Sequence, residues 1–299
     1  MSTPVRPRRS VLFMPGANPR ALEKARSLKA DVLVIDLEDA VAPDAKEEAR
    51  ARVAATLAQG GFAPREVVVR ANATDTPWFD ADMAMIAAAS ARGEGPDVVL
   101  LPKVNDPETL HVVGRLLEAL GAASSLQVWA MIETPVAVLR APDIALAAKS
   151  PVTRLGALVL GTNDLSKETG ARLVPGRAPM ASWLSHCVLA ARAGGVAVLD
   201  AVWNDFRDLD GFARECREAA EMGFDGKTLI HPDQIAPCNA AFSPPEAEVA
   251  AARELIALFD RPENAGKGVV QMEGRMVERM HADIARRTVA LAEAIARRD

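Results

Sequence analysis

The chain has 299 residues, of which 49% are apolar and 25% charged, with a net charge of −5. That length can bury about 75% of the unfolded surface in one barrel-sized domain or two average ones. The acidic balance excludes a general nucleic-acid surface. No apolar run approaches the ~18 residues of a membrane-spanning helix. Cys187, Cys216 and Cys238 are widely spaced with no CxxC, which argues against a disulfide framework or a zinc site and suits a reducing cytoplasm.

The basic cluster Arg6, Arg8 and Arg9 precedes SVLFM, but the apolar run stops at Pro15-Gly16, too early for an export signal. It reads as a first strand over 10–14. Seven more runs follow: VLVIDL (32–37), VVVR (67–70), VVLLPK (98–103), VWAMIE (128–133), ALVLG (157–161), VAVLD (196–200) and KTLIH (227–231). All are rich in Val, Ile and Leu on both faces, the pattern of parallel strands covered on both sides. Between them, helices are predicted over 19–29, 43–59, 77–91, 107–120, 135–149, 178–193, 209–222 and 245–259. Several open at Pro or Asp, as helix N-termini prefer. Eight repeats predict an α/β (β/α)8 TIM barrel over residues 1–260. The rival, a doubly wound sheet, would carry a GxGxxG turn after the first strand, and PGANPR stands there instead. Residues 261–299 form a C-terminal helical extension, read as a lid or oligomerisation segment, with one Arg- and Ala-rich helix over 278–297.

A barrel places its site at the C-terminal strand ends. There the sequence has Phe13; Asp36, Glu38 and Asp39; Arg70 and Asn72; Lys103; Glu133; Asn163 and Asp164; Asp200; and His231-Pro232. Carboxylates outnumber cations, and clustered carboxylates take up protons unless a cation sits among them. Oxygen ligands at this density suit Mg2+, which takes one or two carboxylates and keeps positions for water and substrate. Arg70 and Lys103 suit an anionic substrate, with Arg70 able to grip a carboxylate bidentately. Structural roles compete with these readings. Glu38 or Asp39 can cap a helix or pair with Lys46, and Lys103 can neutralise the carboxylates. Asp200 can cap a strand end, His231 can sit satisfied in a turn, and Trp129 and Met131 read as barrel core.

The stretches RRSVLFMPGANPRALEKA, ADVLVIDLEDAVAPDAKEEAR, VVVRAN, LLPKV, VWAMIETP, LVLGTNDLS and GFDGKTLIHPDQIAPCNAAFSP span residues 8–245. In that order they resemble the HpcH/HpaI aldolase and citrate lyase beta-subunit superfamily, in its malyl-CoA and citramalyl-CoA lyase branch. The resemblance implies a barrel that assembles as a homotrimer or hexamer and cleaves or forms a carbon–carbon bond in a 3-hydroxyacyl thioester of CoA, with a 2-oxoacid as co-substrate or product. It implies Glu133 and Asp164 as Mg2+ ligands and Arg70 for the substrate carboxylate. Phe13 and Lys24 fall on positions that contact the CoA ester, and Ile230 and His231 lie near the thioester. Glu38, Asp39 and Lys46 match a motif that shapes the site and its charge.

This sequence departs from the resemblance at four places, one of which is that the stretch between Glu133 and Asp164 is a few residues longer than expected. Relatives often have GAED where Gly161-Thr162-Asn163-Asp164 stands. Asn18 occupies a position where malyl-CoA lyases can carry an arginine. Glu278, in GRMVERMH, replaces the aspartate that hydrolytic or synthase relatives use. One added methylene moves a carboxylate by about 1 Å, worth a rate factor near ~100 where positioning matters; this counts against hydrolysis more than against lyase chemistry. The leading expectation is a Mg2+-dependent acyl-CoA lyase, with Glu38, Asp39 or Glu278 as the base. The alternatives are a malyl-CoA thioesterase, a Lys103 Schiff-base aldolase, and a citryl-carrier lyase subunit that needs a partner.

Overall fold

A computed structural model of the chain describes residues 6–272 and 274–298. Eight parallel strands close into a barrel in sequence order: β1 (Ser10–Pro15), β2 (Val32–Asp36), β3 (Glu66–Arg70), β4 (Val98–Leu101), β5 (Gln127–Ile132), β6 (Leu155–Leu160), β7 (Ala197–Asp200) and β8 (Gly226–Leu229), with β8 pairing back onto β1. The fold is the expected TIM barrel, and each strand lies within a few residues of its sequence prediction.

Helices alternate with the strands: α1 (Pro19–Ala25), α2 (Lys46–Gln59), α3 (Phe79–Ala91), α4 (Pro107–Ala119), α5 (Pro135–Leu139), α6 (Ala141–Leu146), α7 (Thr162–Thr169), α8 (Ala181–Gly194), α9 (Leu209–Met222) and α10 (Ile235–Ala241). Local chemistry sets their starts. The side chains of Asn18, Asp106, Thr134 and Asp208 accept from backbone N–H groups of α1, α4, α5 and α9, and Pro19, Pro107 and Pro135 occupy first-turn positions where no N–H is needed. The helix expected over 135–149 breaks at Arg140, because Pro142 cannot continue an established helix. Helices α7 and α10 escaped the sequence reading. TNDLSKET carries no apolar stripe, and α10 follows so closely on the IHPDQ turn that it read as loop.

Alternation along the strands fills the barrel. Val32 and Val34, Val68, Val98 and Leu100, Trp129 and Met131, Ala157 and Val159, Val11 and Leu199 form one buried interior cluster, with Phe13 packed against it. Side chains two apart share a face. The inward series therefore continues from Val32 and Val34 to Asp36, from Val68 to Arg70, and from Trp129 and Met131 to Glu133. At the opposite end, Arg8 grips Glu66 bidentately at 2.7 and 2.8 Å and lies over the Trp129 ring at 4.7 Å, while Arg9 pairs with Asp31 at 2.9 Å. The arginines that open the first motif thus close the floor of the barrel.

A second compact unit begins at Phe242, and Pro7 joins it through a hydrogen bond from Arg298. It contains α11 (Glu246–Phe259), an antiparallel hairpin of β9 (Val269–Met272) and β10 (Arg275–Glu278), and α12 (Arg279–Ala296). Its core is Phe259, Val270 and Ala282, with Leu255, Leu258 and Val277 packed on it. Helix α11 therefore groups with the tail, ahead of the boundary at 260 read from composition, because its apolar face packs on α12. Among the described residues, no helix is long and apolar enough to cross a membrane.

Asp200 belongs to a buried charge network. Arg177 Nη1 donates to both its oxygens at 2.7 and 2.8 Å; Lys227 Nζ donates to Asp200 at 2.7 Å and to Glu215 at 2.7 Å. Burial alone would raise Asp200, but Lys227 and then Arg177 hold it below its ordinary value. Burial would lower Lys227, and Asp200 with Glu215 raises it instead. The stability from Asp200 is full above the ordinary carboxylate range and is lost as pH falls through it; that from Lys227 is lost only as pH rises past the ordinary lysine range. Lys227→Met should cost about 3–5 kcal/mol at pH 7, since it leaves two buried carboxylates to the single cation Arg177. Urea unfolding at pH 7 and pH 4 checks this, with the deficit shrinking at the lower pH.

Candidate active site

The site is a cavity of about 370 Å3 at the C-terminal mouth of the barrel, lined among others by Phe13, Asp36, Asp39, Arg70, Met131, Gly161, Asp164 and Ile230. Its frame is the β2–β3 register, which sets Asp36 beside Arg70. Arg70 Nε and Nη2 donate to the two Asp36 oxygens at 2.7 and 2.6 Å. The backbone N–H groups of Glu38 and Ala40 also donate to Asp36, at 2.8 and 3.0 Å, which folds the loop after β2 back over its own strand end. The bidentate grip foreseen for a substrate carboxylate is thus taken by Asp36. What remains of Arg70 is Nη1, 2.9 Å from Glu38 Oε2 and 3.5 Å from Asp39, above the Phe13 ring at 4.9 Å. Burial would lower Arg70; Asp36, Glu38 and Asp39 outweigh it and keep the guanidinium charged.

Lys46 anchors the same loop from α2. Its Nζ donates to the carbonyl oxygens of Leu37 and Glu38 at 2.7 and 2.6 Å, so it fixes the backbone and leaves the Glu38 carboxylate to others. Lys103 takes the other Glu38 oxygen, with Nζ donating to Oε1 at 3.2 Å. Burial raises Glu38 above its ordinary value, against the pull of Arg70.

Glu133 stands one residue beyond β5, 1% exposed, with its Oε1 accepting from the Lys103 N–H at 2.7 Å. Burial pushes its pKa up to about 8, and the charges of Glu38 and Asp164 add to the rise. Asp164 lies in the first turn of α7, where the helix N-terminus favours negative charge. Gly161 makes this approach possible: a Cβ there would lie 2.5 Å from Glu133 Cβ and 2.7 Å from its Oε2. Five acidic groups, Asp36, Glu38, Asp39, Glu133 and Asp164, face three cations, Arg70, Lys46 and Lys103, and a divalent cation bound there would favour the charged form of Glu133. Glu38 Oε2 is buried without a hydrogen bond. The donor set fits Mg2+. Among the described residues no group of three or more His, Cys, Asp or Glu is close enough to hold a metal alone, so Glu133 and Asp164 would share such an ion with water or substrate oxygens, as Mg2+ prefers.

The remaining candidates are spread out. Ile230 is 41% exposed on the cavity wall. His231 stacks on Phe206 at 4.9 Å, and its Nδ1 accepts from the Asp233 N–H at 3.3 Å, a satisfied turn imidazole. Lys24 is exposed on α1 and does not line the cavity. Glu278 lies in the second unit at the start of α12, with its N–H donating to His281 Nδ1 at 2.9 Å. The sequence reading passed over Gly161, whose role depends on a neighbour 28 positions away in the chain. It also gave Asp36 no role of its own, although the alternation Val32, Val34, Asp36 marks it as inward-facing.

Gly161→Ala should push Glu133 aside at a cost of about 1–3 kcal/mol in stability. If Glu133 is a metal ligand, Mn2+ affinity should fall at least about tenfold, because a displacement of about 1 Å would take it out of reach of the ion. Paramagnetic-resonance titration of folded variant and parent checks this.

The family model described as HpcH/HpaI aldolase/citrate lyase matches residues 9–232. The chain is 45% identical to a (3S)-malyl-CoA thioesterase of Cereibacter sphaeroides (strain KD131 / KCTC 12085) over 296 residues, 99% of this chain and 98% of that one. It is 34% identical to the mitochondrial citramalyl-CoA lyase of Rattus norvegicus over 302 residues, 97% of this chain and 87% of that one. Among solved structures, CitE from Mycobacterium tuberculosis in complex with magnesium, acetoacetate and coenzyme A aligns with a TM-score of 0.72 and 30% identity, covering 95% of this chain and 97% of that one. A barrel with this strand-end constellation, matched along three quarters of its length, belongs to the HpcH/HpaI aldolase/citrate lyase family.

Proposed function

We propose that the protein is a Mg2+-dependent carbon–carbon lyase acting on a malyl-, citramalyl- or citryl-type thioester of CoA, giving acetyl-CoA and a 2-oxoacid or running the reverse condensation. The observation that carries this reading is a cavity lined by Asp164 and a charged Arg70, with the buried Glu133, whose pKa the charge of Asp164 helps to raise, behind its wall. Glu133 and Asp164 would hold Mg2+, which when bound supplies Lewis-acid polarisation of substrate oxygens. Arg70 Nη1, the edge not held by Asp36, is the donor for the substrate carboxylate. The Phe13 and Ile230 walls exclude water from the breaking bond. As the C2–C3 bond breaks, the hydroxyl proton leaves and the electron pair passes to the thioester enolate, which is then protonated. Asp39 lines the cavity and is 66% exposed, which suits a group that exchanges protons with solvent. Glu38 holds Arg70 and Lys103 in place. The resemblance assigns Lys24 to the CoA ester and His231 to the vicinity of the thioester, although neither lines the cavity. Glu278 acts from the tail of a neighbouring subunit in a homotrimer or hexamer, and the enzyme works in the cytoplasm.

A second reading, hydrolysis of the same thioester, is favoured by the 45% identity to the Cereibacter thioesterase. Mass spectrometry of products from malyl-CoA and citramalyl-CoA with Mg2+ separates the two. Acetyl-CoA with glyoxylate or pyruvate, abolished by EDTA, is expected, and free CoA with malate would establish hydrolysis. Glu133→Gln and Asp164→Asn should each lower kcat/KM by about a hundredfold or more. Full activity of either variant would remove the metal assignment.

A further inference from the structure

Lys103 follows Pro102 just past β4 with φ of 53°, one of three non-glycine residues in the left-handed region among the described residues. Arg154 and Arg177 sit at the ends of short 3-10 turns, whereas Lys103 stands at the mouth of the barrel. A side chain accepts that backbone state only where its surroundings impose it, and such outliers cluster at functional sites. The consequence is visible on both sides of the residue. Its N–H donates to Glu133 Oε1 at 2.7 Å, and its ammonium donates to Glu38 Oε1 at 3.2 Å.

The charges of Glu38 and Asp164 both raise Glu133, and Glu38 Oε2 has no hydrogen bond. Lys103 touches both carboxylates, and a divalent cation drawn to Glu133 would attract Glu38 as well unless another cation kept it. Lys103 holds one oxygen, and Arg70 Nη1 faces the other at 2.9 Å.

We propose that Lys103 is a two-handed positioning residue. Its N–H presents Glu133 to the metal, and its ammonium keeps Glu38 out of the coordination sphere, so that positions stay open for substrate oxygens. A site closed by a third carboxylate binds a divalent ion more tightly but leaves less room for the reacting group. Half of the Lys103 side chain is exposed, so solvent screens the contact and the effect is moderate.

This inference rests on Glu133 and Asp164 being the metal ligands. The test is Mn2+ titration by paramagnetic resonance on the full chain, with water-proton relaxation of the bound ion as a second readout. Lys103→Met and Lys103→Gly should bind Mn2+ about three- to tenfold more tightly than the parent. Bound Mn2+ should also carry less exchangeable water as Glu38 takes a position. Glycine keeps the N–H and adopts the left-handed state freely, so it isolates the ammonium. Lys103→Arg should return to within about twofold of the parent. Unchanged or weaker Mn2+ binding in either the Met or the Gly variant overturns the proposal, since a merely structural lysine would weaken the site. If the parent binds no Mn2+, or binds it with Glu133→Gln as well as without, the proposed metal site falls instead.

Discussion

The ion pair between Asp36 and Arg70 is the constraint on which the mouth of this barrel depends. Two adjacent parallel strands in register place a carboxylate and a guanidinium side by side at their last inward positions. Both are nearly fully buried, and a buried pair gains little net stability over an apolar one. Its value lies in specificity. Asp36 accepts from Arg70 and from two N–H groups of the following loop, and so turns Glu38 and Asp39 over the cavity. Arg70 is held rigid above Phe13 with one edge left to face the site.

From that frame the electrostatics follow. Glu133 is brought close to Glu38 and Asp164 in a place where burial disfavours charge, and its pKa rises to about 8. A divalent cation bound there would favour the charged form of these acids. The backbone does much of the arranging: Gly161 lets the β6 end approach Glu133, and the left-handed turn at Lys103 aims an N–H at the same carboxylate. Binding power is concentrated at one end of the barrel, while the other end is closed by the Arg8–Glu66 and Arg9–Asp31 pairs. The Asp200–Lys227–Arg177–Glu215 network is a separate case, because its charges balance internally and its role is to hold β7, β8 and α9 together.

By itself the sequence determined the barrel, because eight runs apolar on both faces admit few other architectures, and proline and capping residues mark most helix starts. It also determined which residue types meet at the mouth, since strand ends in a closed parallel barrel share one rim. Where a segment lacks periodicity, as in TNDLSKET, local pattern gave no guide and tertiary packing decided, whereas the break before Pro142 is a local signal that the reading of 135–149 as one helix overlooked. Partner choice was also beyond the sequence. Lys46, Lys103 and Arg70 are all cations near carboxylates, yet one binds carbonyl oxygens, one bridges Glu38 and Glu133, and one is consumed by Asp36. Those assignments depend on distances across strands tens of residues apart, set by register and by the approach of backbones at Gly161. Hydrophobic periodicity is written into neighbouring residues, but the choice among charged partners is made only when the closed sheet brings distant strand ends together.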